Sequence, residues 1–375
     1  MANNYTVRLF NAYGAYLADL QFARLEYVLA ENAVSTLVLT LPPVISFDEI
    51  GEDARLEVWR SVDGAPAYLE GSGGDGTVWF VNKKELRTRN DETLIVITAT
   101  DAKSLLRRRI VDYSSGSSQS TKSGPLDNVC KAIVRENLGS SSYTGALAQG
   151  RDISAYLSVQ ADVGLWPSNL KSFAWQNVFQ ALVEICEQSA GDGAYGAFDI
   201  VKTGSQLEFR TYYSVRGLYR GFGASNLVLV SDKNGTLTDT SIIYDWSNSS
   251  NYIRVGGSGE GTARYTGQFL NSPYLTSSPF SRRELFVDAR NGGIDQTEVN
   301  LEAIREGFAA RPKLRVSAKV INTESVKYGV HYQHGDVIAC QIGSTVLNTR
   351  VVRVRVVADE NGELVESSIN NETVL

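Results

Sequence analysis

The chain has 375 residues, 43% hydrophobic and 21% charged, which excludes wholesale disorder and points to two or three domains at roughly 150 residues each. No apolar run reaches the ~18 residues of a membrane-spanning helix, the opening MANNYTVRLF lacks the basic-then-apolar order of a secretory signal, and three cysteines do not make a disulfide framework, which fits assembly in a reducing cytoplasm. Thirty-six basic against 42 acidic residues leave a net charge of −6, no footprint for phosphate-driven nucleic-acid binding.

The first ~105 residues read as strands, helped by a high content of aromatic and β-branched side chains that suit pleated, half-buried surfaces. YTVRLF (5–10) alternates, as does LVLTL with Leu37, Leu39 and Leu41 on one face. In ARLEVW, Ala54, Leu56 and Val58 oppose Arg55, Glu57 and Trp59, and TVWFV (77–81) and TLIVITA (93–99) follow. Such alternation predicts one wet and one buried face, as in antiparallel sheets. GSGGDG (71–76) reads as a loop between strands, and SSGSSQSTKS (114–123) as a loop or linker with no apolar surface to bury.

A helix is predicted next. Pro125 suits its first position, Leu126, Val129, Cys130, Ile133 and Val134 form one stripe, and Gly139 stops it. A second starts near Ser172 as N-cap, carries Trp175, Val178, Phe179, Leu182, Val183 and Cys186, and ends at Gly191; residues 140–170 are poorly patterned. Strands resume at 206–213, 226–231, 240–246 and 251–257. Residues 257–281 loop out, and 284–289 is a strand. A third helix opens on Asp295 and Glu298 with capping-box spacing, shows Leu301, Ile304 and Phe308 as its stripe, and ends at Pro312. The tail is β again, at 314–322, 336–342, 345–359 and 363–369, with Asn361-Gly362 in the turn of the last hairpin. These elements make an α+β chain, mainly β: an N-terminal β-module (1–112), a helical domain with a Ser-rich linker (113–194) and a second β-module (195–375) carrying the long loop 257–281 and the helix 295–311.

Chemical constellations are sparse. GGSGEG (256–261) has glycines in the manner of a dinucleotide loop but no helix after it, so a hairpin loop is the stronger reading. His331, His334, Asp336 and Cys340 form the one metal-like cluster. His331 and His334 sit an odd number of positions apart in a strand-like segment and point to opposite faces, so no structural metal is expected. Both histidines of the chain lie there, no GxSxG surrounds a serine, and Asp199, Glu208, Asp239 and Asp245 are candidate glycosidase carboxylates only through their place in or near strands. No catalytic, cofactor or metal residue is assigned. Arg107, Arg108 and Arg109 are too few for a nucleic-acid stripe. Arg353 and Arg355 alternate with valines as the wet face of a sheet, or as the wall of a channel.

Several segments together resemble the siphophage tail-hub proteins of the ReqiPepy type, a family similar to the trimeric baseplate hub of contractile phages. They are DAKSLLRRRIV (101–111), LDNVCKAIVRENLG (126–139), the WQNVFQALVEICEQ to FDIVKTGSQLEFRTY unit, SNYIRVGGSGEGTAR (250–264), SRRELFVDAR (281–290), and HGDVIACQI followed by RVVRVRVV. The family pattern DLGD reads QHGD here (333–336), with Gly335-Asp336 kept. The resemblance implies two barrel-like antiparallel β-modules with a helical insertion between them. It also implies a non-enzymatic virion protein, assembled in the host cytoplasm and placed at the tail tip as a homotrimer that matches the six-fold tube. Its implied partners are a tail-tube or distal-tail ring above and a fibre, spike or receptor-binding protein below. Viral DNA would pass transiently through a channel without stable binding, so a neutral or acidic wall is expected, with Arg353 and Arg355 ion-paired or outside it. Because the chain ends at Leu375, after its last hairpin, the fibre or spike is expected from another protein, with at least one of the loops 71–76, 114–123 and 257–281 ordering on contact. The alternative is a polysaccharide-active enzyme or glycan-binding β-protein.

Overall fold

The structure is a computed structural model. It describes residues 4–374 except 44, 73–74, 90–91, 114–116, 142–149, 272–277 and 291–294. The chain divides into two compact units, one of residues 1–187, 195–240 and 318–370, the other of 188–194, 241–317 and 371–375. Among the described residues no helix is long and apolar enough to cross a membrane.

In the first unit the alternating segments become one large sheet. Its strand order runs Gly362–Val374, Thr345–Asp359, Arg24–Ala30, Thr36–Leu41, Glu92–Asp101, Trp79–Arg89, Arg55–Ser61, Asn4–Phe10, Tyr16–Leu20. Arg24–Ala30 pairs antiparallel with both Thr36–Leu41 and Thr345–Asp359, so the two ends of the chain share a sheet. Short parallel pairings join Tyr219–Arg220 and Leu229–Ser231 to Val337–Ile342. The mainly-β α+β fold is therefore observed, but among the described residues the sheets are open and none closes into the expected barrel. Leu37, Leu39 and Leu41 face a core shared with Val7, Leu9, Tyr27, Ile97, Val354 and Val356. Arg55 and Glu57 correct the expectation of a wet opposite face: they are only 9% and 4% exposed. A second layer covers them, in which Lys202 of Gly196–Thr203 pairs with Glu57.

That layer holds a short helix α1 (Ser104–Arg107), α2 (Leu126–Leu138) and α3 (Val178–Gly191), packed on Gly196–Thr203 and Gln206–Tyr213. The α2 stripe Leu126, Val129, Cys130, Ile133 and Val134 is fully buried. Besides Leu138, its other buried positions are polar. The Asp127 carboxylate accepts the backbone N–H groups of Gly164 (2.9 Å), Leu165 and Trp166 (3.3 Å each), and Lys131 Nζ donates to Ala161 O at 2.9 Å. Residues 161–166 of the poorly patterned stretch are thus held by hydrogen bonds and need no apolar period, while 142–149 lie outside the described residues.

Several expectations fail here. Part of the predicted linker 114–123 belongs to the strand Ser120–Pro125, paired with Ser168–Phe173, and Pro125 caps α2 from outside. Ser172 therefore lies in a strand, and α3 begins only at Val178. Trp175, at φ 59° and 57% exposed, turns the chain instead of joining the stripe. Asn177 then starts the helix: its Oδ1 accepts Phe179 N at 3.1 Å and its Nδ2 donates to Arg107 O at 2.7 Å. The stretch 71–76, read as a loop, pairs Gly71–Ser72 with Asp75–Gly76.

The second unit sets α4 (Gln296–Ala309) on a sheet ordered Thr266–Leu270, Tyr252–Gly256, Glu284–Asp288. The first of these strands lies within the predicted loop 257–281. The Asp295–Glu298 capping box is present. The predicted stripe is rotated, however: Val299, Ala303 and Gly307 face inward while Leu301 and Ile304 are exposed. A Cβ on Gly307 would stand 2.1 Å from Phe269 Cδ1, and one on Gly267 2.2 Å from Val299 O. Helix and sheet lie too close for larger side chains between them, and close approach overrides the hydrophobic pattern.

Candidate functional site

The chemically dense part of the first unit is a buried ionic seam. Lys103 Nζ lies 3.2 Å from Asp101, 3.7 Å from Asp199, and donates to Ala30 O at 2.9 Å. Arg216 reaches Asp199 at 2.9 Å and Asp75 at 3.2 Å, and Asp75 also binds Arg210 at 3.0 Å and accepts the Tyr212 hydroxyl at 2.8 Å. Burial alone would raise the Asp199 carboxyl, but Lys103 and Arg216 outweigh it and hold it below its ordinary value. Burial works against the Lys103 ammonium too, and Asp101 and Asp199 outweigh it. With its charges spent on one another, this seam is a clamp joining distant segments.

A second cluster surrounds Arg60, which is 0% exposed. Its guanidinium meets Glu363 at 2.9 Å, the Tyr68 hydroxyl at 3.1 Å and Tyr328 O at 3.4 Å, with Glu70 at 3.9 Å. Tyr328 donates to Glu70 at 2.5 Å and Tyr5 to Glu363. Burial pushes the Tyr5, Tyr27 and Tyr328 hydroxyls well above their ordinary range, so they stay neutral. Sequence reasoning missed both clusters, since their partners stand up to 358 positions apart. The available signal was charge inside a strand otherwise fit for a core, with Arg55 and Glu57 on one face and Arg60 on the other.

The residues singled out from sequence have other employment. His331 lies in a turn, not a strand, and its Nδ1 accepts Lys327 N at 2.9 Å. His334 is buried with Nε2 3.1 Å from Val352 O, and burial lowers its pKa to about 3. Asp336 accepts Leu218 N (2.7 Å), Gln333 N (2.9 Å) and Arg220 Nε (3.0 Å). Cys340 sits in the core, its thiol pushed up to about 11 by burial. Among the described residues no group of three such side chains is placed to hold a metal. The candidate carboxylates each take a different cation: Asp199 binds Arg216, Glu208 binds Arg210 (2.5 Å), Asp239 binds Lys319 (2.7 Å) and Asp245 binds Arg315 (3.4 Å).

The arginine run is divided too. Arg107 lies over Phe179, Arg108 pairs with Asp53 at 2.7 Å, and Arg109 donates to Gly150 O at 3.1 Å. Arg355 is paired with Glu26 and Glu366 at 2.8 and 2.7 Å, while Arg353 is exposed. GGSGEG turns the hairpin between Tyr252–Gly256 and Thr266–Leu270. The carbonyls of Gly256 and Gly257 accept from Arg264, an arrangement opposite to the N–H cradle a phosphate requires.

In the second unit apolar side chains crowd the surface. Tyr244 and Trp246 stack at 5.8 Å, and Phe280, Phe286, Leu301 and Ile304 are exposed.

Residues 72–369 match the family described as siphovirus ReqiPepy6 Gp37-like proteins. The chain belongs to that family. Among curated proteins none matches the sequence. Its fold is similar to that of a tail protein from Neisseria meningitidis MC58, at 9% identity and a TM-score of 0.55, over 98% of this chain and 97% of that one. It is also similar to the 43 kDa tail protein of prophage MuSo2 from Shewanella oneidensis (11% identity, TM-score 0.53, 97% and 98% covered). A third likeness is to prophage tail protein gp18 from Listeria monocytogenes EGD-e (10%, 0.51, 98% and 94%). At these identities the likeness is one of fold.

Proposed function

We propose that this chain is a non-enzymatic structural protein of the siphovirus virion, a hub at the tail tip that closes or adapts the tail tube and anchors fibres or a receptor-binding device. The carrying observation is the family match over residues 72–369, and the end-to-end likeness of fold to phage tail proteins supports it. The engaged state of Asp199, Glu208, Asp239 and Asp245 favours a scaffold over a glycosidase. The working assembly is a homotrimer, since a trimer docks on a six-fold ring when each subunit offers it two similar surfaces. Here those are the β-segments of 1–112 and 195–375, with 113–194 between them. Three chains carry 3 × −6 = −18, and the pairing of Arg355 with two glutamates suits a channel wall that does not hold DNA.

A density map of the particle that locates this chain tests the reading. Three copies around a central channel at the distal end of the tube are expected. A dimer, a monomer, or a trimer whose two β-segments lie at clearly different radii would refute it.

A further inference from the structure

Arg55 breaks the rule that every other buried cation of the first unit follows. It is 9% exposed, and among the described residues its Nε has no hydrogen-bond partner and no ion pair reaches it. The two carboxylates whose charge it feels are committed elsewhere, Asp53 to Arg108 and Glu57 to Lys202, with the second Glu57 oxygen accepting Trp59 Nε1 at 3.1 Å. The aromatic faces of Phe80 and Tyr156 stand 5.5 and 5.9 Å from its guanidinium carbon. A guanidinium does not escape by losing its proton, and an uncompensated buried charge is among the costliest features a fold can carry.

The guanidinium is not sealed in. It lines a cavity of about 310 Å³, walled by Phe10, Val78 and Leu207 on the apolar side and by Glu57 and Lys202 on the polar side. Gly14 leaves it room: a Cβ there would come within 3.2 Å of an Arg55 terminal nitrogen. Arg55, Lys202 and Glu57 give the lining one net positive charge. One monoanion cancels that charge. A dianionic phosphate would overfill it and face Glu57. The planar donor fork of arginine matches a carboxylate through two parallel hydrogen bonds, and the apolar wall accepts the carbon chain bearing it.

We propose that this cavity is a binding site for a carboxylate, clasped by Arg55, with its carbon chain against Phe10, Val78 and Leu207. The inference does not depend on a place in the tail. The ligand comes either from an acidic side chain of another polypeptide or from a small free acid, and the two differ in what the apolar wall contributes.

The test is thermal unfolding of the full chain in sodium acetate against sodium chloride at equal ionic strength. Acetate is expected to raise Tm with dose. Arg55→Met is expected to abolish that response and, by removing an unpaired buried charge, to raise Tm in chloride. Arg55→Lys keeps the charge and loses the fork, so it retains the fold with a weakened response. N-acetylglutamate α-amide stabilising more strongly than acetate, with N-acetylglutamine α-amide inert, assigns the site to a polypeptide side chain; a response no stronger than acetate assigns it to a small free acid. Equal Tm in acetate and chloride for the unaltered chain, or an acetate response that survives Arg55→Met, overturns the proposal.

Discussion

Glu31 offers a measurable pH effect. It follows the strand Arg24–Ala30, and its backbone N–H donates to Val352 O at 3.0 Å, tying the first and last segments of the chain. The residue is partly buried, but Oε1 is out of solvent and unpartnered among the described residues. Burial raises its carboxyl from 4.5 to about 7, against the opposing pull of Arg350, Arg216 and Lys103. A folded-state pKa above the unfolded one means that the folded state binds the extra proton. The stability this contributes is complete below about pH 4.5 and is lost as pH rises through 7. At 1.36 kcal/mol per pH unit the difference is about 3 kcal/mol at most. Glu31→Gln removes the titration and keeps the shape. Urea unfolding at a series of pH values between 5 and 8 should show the variant gaining on the native chain by up to about 3 kcal/mol at the alkaline end. Parallel curves for the two proteins would refute the reasoning.

Gly307→Val should drive a side chain into the Phe269 ring and cost the second unit about 1–3 kcal/mol, read as faster proteolysis within residues 241–317; Leu301→Ala on the exposed face of α4 should leave the rate unchanged. Asp199→Ala should leave Lys103 with Asp101 and Arg216 with Asp75 as their remaining acidic partners and cost about 3 kcal/mol in urea unfolding, whereas Arg353→Ala, at an exposed position, should stay within about 0.5 kcal/mol of the native chain.

The elements legible in the sequence are those whose side-chain period decides their structure alone. Thr345–Asp359 is a strand over the predicted residues, because Val351, Val354 and Val356 need one face and nothing in the segment breaks the pleat. The α2 stripe was legible for the same reason. Pairing was not: no period tells that Thr345–Asp359 lies beside Arg24–Ala30, which ties the first and last β-segments through one sheet. Backbone geometry also hid from the pattern. Trp175 fits the α3 spacing but takes φ 59°, and Gly307 wins the inner face of α4 from Leu301 and Ile304 by close approach. The ionic seam was the least legible, for Asp75, Asp101, Lys103, Asp199 and Arg216 carry meaning only once four segments have met. Arg55 looked like one more residue of a wet face.

The buried ions bear on how distant strands find their register. An apolar core tolerates exchange among Val, Leu and Ile, and a one-residue slip of a strand merely exposes one alternating set and buries the other. With Arg60 in the Asn4–Phe10, Arg55–Ser61 neighbourhood and Glu363 at the turn of the last hairpin, a slip of either strand buries an unpaired charge instead. Well-packed apolar residues would serve stability as well or better, so the contribution we assign to the Arg60 cluster is uniqueness of pairing. Arg60→Met alone should cost about 3–5 kcal/mol, since it takes the guanidinium from the buried Glu70 and from Glu363. Arg60→Met with Glu70→Gln and Glu363→Gln should recover most of that loss in urea unfolding. The same triple variant should show faster and more heterogeneous hydrogen exchange along Thr345–Asp359 than the native chain. A triple variant that regains stability and exchanges as uniformly as the native protein would show that the cluster sets no register, and that apolar alternation alone aligns the two ends of the chain.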